Sequence, residues 1–355
     1  MHIHDLDTPA LVVDLNIMER NLSRMADYAR EHSLRLRPHT KTHKIPGLGA
    51  RQLAHGAAGL TVAKVSEAEV MLGSGVEDLL IAYPIFGPEK MRRLVEVAKR
   101  TRITVSVDSM EAARPISEAA VSAGISIDVL AEVDAGLHRV GVQPELFVGL
   151  LKELALLKGI AIRGMAFYPG HIKNHDAAAL ASLSSLIQSL TVEAAAAGFE
   201  MPIVSGGSTP TMWHSHEVAG MNEIRPGTYI FNDRNTIISG ACTWDDCAAT
   251  IIATVVSISV PGQFVIDGGS KTFSSDKAAA DGFGVFADAP DALLEKMNEE
   301  HGYVKQAGHN RRVGERVRVL PNHICVAVNL HEKIYGINGE EVVEIWTVDG
   351  RGKLQ

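Results

Sequence analysis

Two kinds of segment alternate from residue 8 to about residue 204. Short apolar, β-branched runs are separated by longer segments in which apolar residues recur every three or four positions. The first kind is typical of strands in a buried parallel sheet, and the second of the helices that cover it. Strands are predicted at 10–13, 33–37, 59–63, 78–82, 103–107, 127–133, 160–167 and 202–204, and amphipathic helices at 16–31, 66–72, 88–100, 109–123, 144–157 and 177–198.

This order of elements favours a closed (β/α)₈ TIM-like barrel over an open sheet. A dinucleotide-binding fold is disfavoured because no Gly-x-Gly-x-x-Gly turn follows the first strand. After about residue 231 the chain changes to strands separated by turns, at 248–260, 263–267, 316–320, 323–330, 333–337 and 342–348, with one amphipathic stretch at 288–300. We therefore predict a barrel at 12–240 and an all-β domain at 241–355, with residues 1–11 packed against the β domain.

Composition excludes several classes of partner. The 355 residues carry 34 basic and 42 acidic side chains, a net charge of −8, so we expect no nucleic-acid partner. Apolar runs such as 248–260 are shorter than the roughly 20 residues that span a bilayer, and the N-terminus lacks a secretory pattern, so no membrane partner is expected. Three cysteines are too few for a disulfide framework, and we expect a cytoplasmic protein.

The first candidate for chemistry is the basic segment 37–44, which follows the second predicted strand. Reactive side chains of such barrels lie at the carboxyl ends of the strands. If the backbone stays extended, Arg37, His39, Lys41 and His43 lie on one face. Neighbouring positive charge and partial burial would then favour the neutral amine of Lys41, a nucleophile able to form a Schiff base. The alternative is a basic loop tip in solvent.

A second candidate is the segment Ser-Gly-Gly-Ser-Thr-Pro-Thr at 205–211, directly after the predicted strand 202–204. Its glycines allow close backbone approach, and Ser208 or Thr209 can cap a helix. Such a turn presents backbone N–H groups to an anion, and it suits a phosphate group. Tyr229, at the next strand-to-loop transition, could add a hydroxyl. The alternative is an ordinary strand-to-helix turn.

Two further strand ends carry side chains suited to binding. Segment 132–141 holds Arg139, whose planar guanidinium suits a heterocycle or a carboxylate, although it could instead pair with Asp134. Segment 167–171 holds Tyr168 and His171, a phenol and an imidazole. The alternatives are packing of Tyr168 under the barrel rim and an exposed loop histidine.

The β domain contains a His-x-Cys spacing at His323 and Cys325. On the predicted strand 323–330 both side chains would point the same way. Two such ligands make half of a tetrahedral zinc site and leave positions for water or substrate. Coincidence is the alternative for a two-ligand motif. Cys242 and Cys247 show no comparable pattern and are interpreted as structural.

Together these segments resemble the fold-type III pyridoxal 5'-phosphate (PLP) enzymes, within the group of D-threonine aldolases and D-serine dehydratases. The resemblance implies an alanine racemase-like barrel, a C-terminal β domain and a homodimer with shared active sites. It implies that Lys41 holds PLP and that His323 and Cys325 bind a divalent metal, Mn²⁺ or Zn²⁺, with Mg²⁺ as a further candidate. The expected cofactor-binding residues are His39, Lys41, Arg139, Tyr168, Ser205, Gly206, Gly207, Ser208, Thr209 and Tyr229.

The leading hypothesis is retro-aldol cleavage of a small D-3-hydroxy amino acid, such as D-threonine, to glycine and an aldehyde. Lys41 and His171 are the expected catalytic residues, and either His171 or a metal-bound water would take the hydroxyl proton. The nearest alternative is a dehydratase in which Lys41 removes the α-proton and the products are a 2-oxo acid and ammonia. The His-x-Cys spacing resembles the dehydratases, whereas segment 168–171 resembles the aldolases. A further alternative is a PLP carrier without turnover.

Overall fold

The computed structural model describes residues 1–355, apart from the side chain at position 290. The strands are β1 (Ala10–Asp14), β2 (Arg35–Leu36), β3 (Leu60–Val62), β4 (Asp78–Ile81), β5 (Arg102–Val107), β6 (Ile127–Val133), β7 (Ile160–Phe167), β8 (Ile203–Gly206), β9 (Glu223–Ile224), β10 (Ala249–Ser257), β11 (Gln263–Ile266), β12 (Gly284–Phe286), β13 (Ala289–Met297), β14 (Gly302–Lys305), β15 (Arg316–Pro321), β16 (Lys333–Asn338) and β17 (Glu341–Thr347). The helices are α1 (Leu15–Glu31), α2 (Pro46–Ala54), α3 (Val65–Met71), α4 (Pro88–Ala98), α5 (Met110–Ala123), α6 (Phe147–Leu154), α7 (Ala177–Ala196), α8 (Arg234–Ile238), α9 (Ser270–Phe273) and α10 (Ile324–Leu330).

The chain divides into two compact units. The barrel unit comprises Met25–Lys41, Pro46–Gly227 and Lys353–Gln355. The β unit comprises Met1–Arg24, Thr42–Ile45 and Thr228–Gly352. Each unit therefore contains segments that are far apart in the sequence.

The barrel unit is built on parallel strands in the order β2-β9-β8-β7-β6-β5-β4-β3. The two outer strands are joined to each other, because the Thr61 N–H donates to the Pro38 carbonyl at 2.8 Å and His39 bridges Thr61 in parallel register. Strand β4 is buried at every position, as expected for a sheet covered on both faces. The predicted (β/α)₈ barrel is confirmed.

One strand of the prediction belongs to the other unit. Ala10–Asp14 pairs antiparallel with β10 and parallel with β16, so it is not a barrel strand. The eighth barrel strand is instead Glu223–Ile224, which pairs with β2 and β8. A short apolar strand looks the same in either sheet, and a strand of this length has no measurable periodicity.

The β unit contains one sheet in the order β11-β14-β13-β12-β15-β10-β1-β16-β17. An additional pairing of β10 with β11 closes the first six of these strands into an antiparallel barrel. The predicted all-β fold is confirmed, with two local corrections. Residues 288–300, expected to interrupt the strands, contain strand β13, because pairing with β12 and β14 overrides the local pattern. Residues 323–330, predicted as a strand, form α10 instead.

Helix α7 is a long, apolar outer helix of the barrel. By length and composition alone it could span a membrane, although no such segment is expected from the sequence. Its buried residues are Leu180, Leu183, Ile187, Leu190 and Ala194, which recur every three or four positions. This one-sided burial is the pattern of a helix that covers a sheet.

Candidate active site

Lys41 lies in the connection that leaves the carboxyl end of β2. It is exposed, and it occupies the 3₁₀ turn Thr40–Thr42. Its backbone N–H donates to Nδ1 of the half-buried His39 at 3.3 Å, and the Thr40 hydroxyl donates to the Thr61 carbonyl at 3.1 Å. The turn is thus tied to β3, and the Lys41 amine is accessible from solvent.

The extended face expected for this segment is wrong. Arg37 is 1% exposed and points into the barrel, where Nη1 and Nη2 donate to the Asp78 carboxylate at 2.6 and 3.1 Å. Its Nε donates to Glu223 Oε2 at 2.9 Å. Burial lowers the pKa of Arg37, but the two carboxylates outweigh it and the net shift is upward. His43 is also fully buried, with Nδ1 accepting from the Ile45 N–H. The 3₁₀ turn breaks the period of two.

The charged network of Arg37, Asp78 and Glu223 extends further inside the barrel through contacts of Glu223. The Ser205 hydroxyl donates to Glu223 Oε1 at 2.7 Å and accepts from Arg225 Nη1, while Arg225 Nη2 donates to the Phe167 carbonyl at 2.9 Å. Burial lowers the pKa of Arg225 and raises that of Glu132. Ser205, predicted in the phosphate turn, therefore has its hydroxyl in this interior network. The charged residue Glu132 near the end of the largely apolar strand β6 was the sequence signal that could have indicated an interior charged network.

The loop after β6 is organised by the buried carboxylate of Asp134. It accepts from the backbone N–H groups of Gly136 and His138 at 3.0 and 2.9 Å, from His138 Nδ1 at 2.7 Å and from Gln143 at 3.3 Å. Burial raises the pKa of Asp134, but these hydrogen bonds outweigh it and lower the pKa to about 2. Asp134 therefore fixes the loop that carries Arg139.

Asp134→Asn is expected to destabilise the protein by about 1–2 kcal/mol at neutral pH. The folded-state pKa of about 2 lies below the ordinary value of 3.8. The ionised carboxylate therefore adds stability above that ordinary value, and the contribution disappears as the pH falls toward the folded-state pKa. Urea unfolding across this window measures the effect. The control is Asp27→Asn, an exposed carboxylate paired with Arg30, and equal losses in the two variants would contradict the prediction.

The loop after β7 lies against the β6 loop. The Arg139 guanidinium carbon is 4.9 Å from the centroid of the Tyr168 ring, a cation–π arrangement. A Cβ at Gly136 would meet the His171 ring at 3.1 Å, so the imidazole rests directly on that glycine. Tyr168 is half-buried, and Arg139 and His171 are exposed. Side chains from two separately predicted segments, 132–141 and 167–171, therefore lie together at the barrel mouth.

The turn after β8, predicted to bind phosphate, depends on two glycines and a serine. A Cβ at Gly206 would collide with the Phe167 ring at 2.3 Å, and Gly207 has a φ of +81°. Ser208 is the N-cap of the 3₁₀ segment Thr209–Glu217, and its hydroxyl lies 3.1 Å from that of Thr211. The first N–H groups of a helical segment have no partner within it. The exposed Lys41 amine and this turn fit an aldehyde coenzyme with a phosphate group.

The predicted metal ligands lie together in the β unit. His323 is the N-cap of α10, and Cys325 is in its first turn. The Cys325 thiol lies 3.2 Å from the Thr42 hydroxyl and 3.6 Å from that of Thr228. Tyr229, beside Thr228, is 2% exposed. Although the strand prediction was wrong, the helix start also brings the imidazole and the thiol into contact.

The charges of His323 and Cys325 stabilise each other. The Cys325 charge raises the pKa of His323 to about 11, although burial opposes the shift, and the hydrogen bond that His323 donates to Asp233 adds to it. Burial raises the pKa of the Cys325 thiol, but His323 outweighs it and the net shift is downward. A thiolate and an imidazole are a donor set that Zn²⁺ and related ions prefer, so these residues fit a divalent metal.

Sequence reasoning missed Asp233, which holds His323 in place. Its carboxylate accepts from His323 Nδ1 and from the Ile324 N–H, each at 3.1 Å, and its other oxygen caps α8 through Thr236. Asp233 is 1% exposed. A carboxylate behind a ligand histidine fixes the ring and leaves the other nitrogen for a metal. The two residues are 90 positions apart, and no local pattern links them.

Comparison with known proteins identifies the family. Residues 13–235 match the sequence profile of the alanine racemase N-terminal domain. The chain belongs to the alanine racemase-like family. Residues 248–337 match a serine dehydratase domain, so this C-terminal part of the chain also matches the predicted group. Members of this fold family are PLP enzymes.

Similar alanine racemase-like proteins are lyases that act on D-amino acids. D-Threonine aldolase of Arthrobacter sp. is 31% identical over 98% of this chain and 93% of its own. The crystal structure of D-threonine aldolase from Filomicrobium marinum, 33% identical, covers 99% of this chain and 98% of that chain with a TM-score of 0.93. D-threo-3-Hydroxyaspartate dehydratase of Delftia sp. is 32% identical over 96% of this chain and 97% of its own.

The Delftia dehydratase structure has a TM-score of 0.89 and covers 98% of both chains. Structures of two alanine mutants of a D-threo-3-hydroxyaspartate dehydratase also match this chain, one mutated at a histidine and one at a cysteine two positions later. The cysteine mutant is described as the metal-free form. Aldolases and dehydratases are thus about equally similar to this protein, which is a member of a lyase group.

Proposed function

We propose that this protein is a PLP- and divalent-metal-dependent aldolase that cleaves D-3-hydroxy amino acids, D-threonine among them, to glycine and an aldehyde. The observation that carries the proposal is the contact of the Cys325 thiol with the Thr42 hydroxyl at 3.2 Å. Thr42 is bonded directly to Lys41 in the chain. That contact supports a single reaction that uses both the lysine and the metal-ligand pair.

Several residues would hold the coenzyme and the substrate. PLP, when bound, supplies an electron sink for the charge that develops at the substrate α-carbon. The Lys41 amine would hold its aldehyde group until the substrate amine replaces it. The turn at Gly206, Gly207 and Ser208 would bind the phosphate through backbone N–H groups. Arg139 and Tyr168, already stacked on each other, would orient the ring.

His171 would act as the general base. It is exposed at the barrel mouth and would accept the proton of the substrate β-hydroxyl. The O–H electron pair then forms the aldehyde C=O bond, the Cα–Cβ bond breaks, and its electron pair stays on Cα, which is protonated to give glycine. His323 and Cys325 would hold a divalent cation, which when bound would supply positive charge that makes the β-hydroxyl more acidic. The hydrogen bond from His323 Nδ1 to Asp233 would hold the imidazole ring in the orientation needed to bind that cation.

A second candidate is a dehydratase that releases a 2-oxo acid and ammonia. One specific observation favours it: the histidine and the cysteine mutated in the D-threo-3-hydroxyaspartate dehydratase structures are two positions apart, as His323 and Cys325 are here. In that reaction Lys41 would remove the α-proton, and the β-hydroxyl would leave as hydroxide. The loop that carries Tyr168 and His171 supports the aldolase, since a base is needed at the hydroxyl.

Product analysis distinguishes the two reactions. The purified protein, loaded with PLP and Mn²⁺, is expected to convert D-threonine to equal amounts of glycine and acetaldehyde. EDTA treatment should remove most of the activity, about 10²-fold or more, and added Mn²⁺ should restore it. L-Threonine is the control substrate and should not react. Separate assays for glycine, 2-oxobutanoate and ammonia measure the outcome.

Each other outcome excludes part of the proposal. 2-Oxobutanoate and ammonia from D-threonine, or pyruvate from D-serine, would establish the dehydratase. Activity that survives complete metal removal would exclude the metal on His323 and Cys325 from the reaction. Bound PLP with no turnover of any D-3-hydroxy amino acid would establish the carrier.

The assembly and location of the protein are part of the same proposal. We expect a homodimer with shared active sites, on the basis of the resemblance to the fold-type III enzymes. We expect a cytoplasmic location, which is consistent with free thiols at Cys242, Cys247 and Cys325. Sedimentation analysis would test the dimer.

A further inference from the structure

Three side chains that the proposed reaction does not use form a cluster on the barrel unit. His175 lies in the connection between β7 and α7, and His214 and Glu217 lie on the 3₁₀ segment Thr209–Glu217 after β8. One ligand atom from each lies within 4.8 Å of the others. The imidazole rings of His175 and His214 stack in parallel, with centroids 3.7 Å apart and an interplanar angle of 8°.

The carboxylate of Glu217 faces both rings. Its Oε1 lies 2.7 Å from His214 Nδ1, and its Oε2 lies 3.5 Å from His175 Nε2. The ring nitrogens and the carboxylate oxygens converge from two separate loops.

We propose that His175, His214 and Glu217 bind a divalent cation of the Zn²⁺ class, separately from the pair His323 and Cys325. Two histidines and one glutamate are a recurrent three-ligand set for Zn²⁺, with a fourth position for water. The three side chains are 48%, 32% and 35% exposed, so an ion can enter from solvent. Nitrogen and oxygen donors without a thiolate favour Zn²⁺, Ni²⁺ or Cu²⁺ over Mg²⁺.

The position of this site gives it a structural consequence. The β7–α7 connection begins with Tyr168 and His171, and the segment that carries His214 begins at the Ser208 turn. A bound cation would therefore link the loop that carries His171, the proposed base, to the helical segment that follows the proposed phosphate-binding turn at Ser208. It would restrict the motion of the exposed residues between His171 and Asp176.

Equilibrium dialysis against Zn²⁺ tests the site on the full chain. His214→Ala is expected to bind about one Zn²⁺ per chain less than the wild type, with affinity at this site lowered more than about 100-fold. The matched control is His216→Ala, a neighbouring histidine on the same segment that stacks on His32 and should retain the wild-type stoichiometry. Glu217→Gln, which keeps the side-chain shape, should also lose the ion.

Two further readouts distinguish this cation site from the Cys325 site and from nonspecific Zn²⁺ binding. Co²⁺ bound to Cys325→Ser should show d–d absorption without the charge-transfer band of a thiolate ligand. Adding His214→Ala to Cys325→Ser should remove that d–d absorption. Zn²⁺ should slow tryptic cleavage after the exposed Lys173 in the wild type but not in His175→Ala. Equal Zn²⁺ stoichiometry in the wild type and His214→Ala, or equal loss in His216→Ala, would refute the site. Neither result depends on the proposed aldolase reaction.

Discussion

Lys41→Ala is expected to lower the aldolase rate by about 10⁴-fold or more, because it removes the only amine proposed to hold the coenzyme aldehyde. Borohydride treatment of the PLP-loaded wild type should attach the coenzyme irreversibly to Lys41, and the variant should remain unlabelled. Lys41 is exposed, so its replacement should change the free energy of unfolding by less than about 0.5 kcal/mol. A loss of activity would therefore reflect the removal of the reactive amine and not unfolding of the protein.

Peptide mapping decides which amine is labelled. Lys44 lies three positions later, but it is buried and its Nζ donates to Asn329 Oδ1 at 2.8 Å. The control is Lys99→Ala, an exposed lysine paired with Glu96 on the barrel's outer surface, which should keep full labelling and activity. A label on Lys44, or undiminished activity of Lys41→Ala, would show that the proposed role of Lys41 is wrong.

Arg37→Met is expected to destabilise the protein by about 3–5 kcal/mol. The substitution leaves the Asp78 and Glu223 carboxylates without the guanidinium that binds both of them inside the barrel. Leaving buried carboxylates without a charge partner lowers the free energy of unfolding strongly. Burial of the apolar methionine side chain recovers far less free energy than that. The midpoint of urea unfolding measures the loss.

Arg92→Met provides a closely matched control. Arg92 also donates two hydrogen bonds to one carboxylate, that of Glu89, through Nε and Nη2 at 3.0 and 2.6 Å, but both side chains are about two-thirds exposed. Solvent screens that pair, so its loss should cost less than about 1 kcal/mol. If the two variants lose equal stability, burial does not govern the strength of the Arg37 network.

The sequence determined the features that depend on local pattern. Periodicity predicted the barrel and the all-β fold, because burial on both faces of a parallel sheet leaves continuous apolar runs. The rule that reactive groups lie at strand ends selected segments whose side chains do meet, such as Arg139 with Tyr168 and His171 with Gly136. The His-x-Cys spacing also brought His323 and Cys325 together, although on a helix start rather than a strand.

Only the tertiary structure decided which partner each element takes. The apolar segment Ala10–Asp14 joins the β unit because β10 and β16 supply its hydrogen bonds. Arg37 enters the barrel because Asp78 and Glu223, 41 and 186 positions away, compensate its charge there. Asp233 orients His323 from 90 positions away. Hydrogen-bond and charge partners are chosen by proximity in space, which the spacing of residues along one segment does not encode.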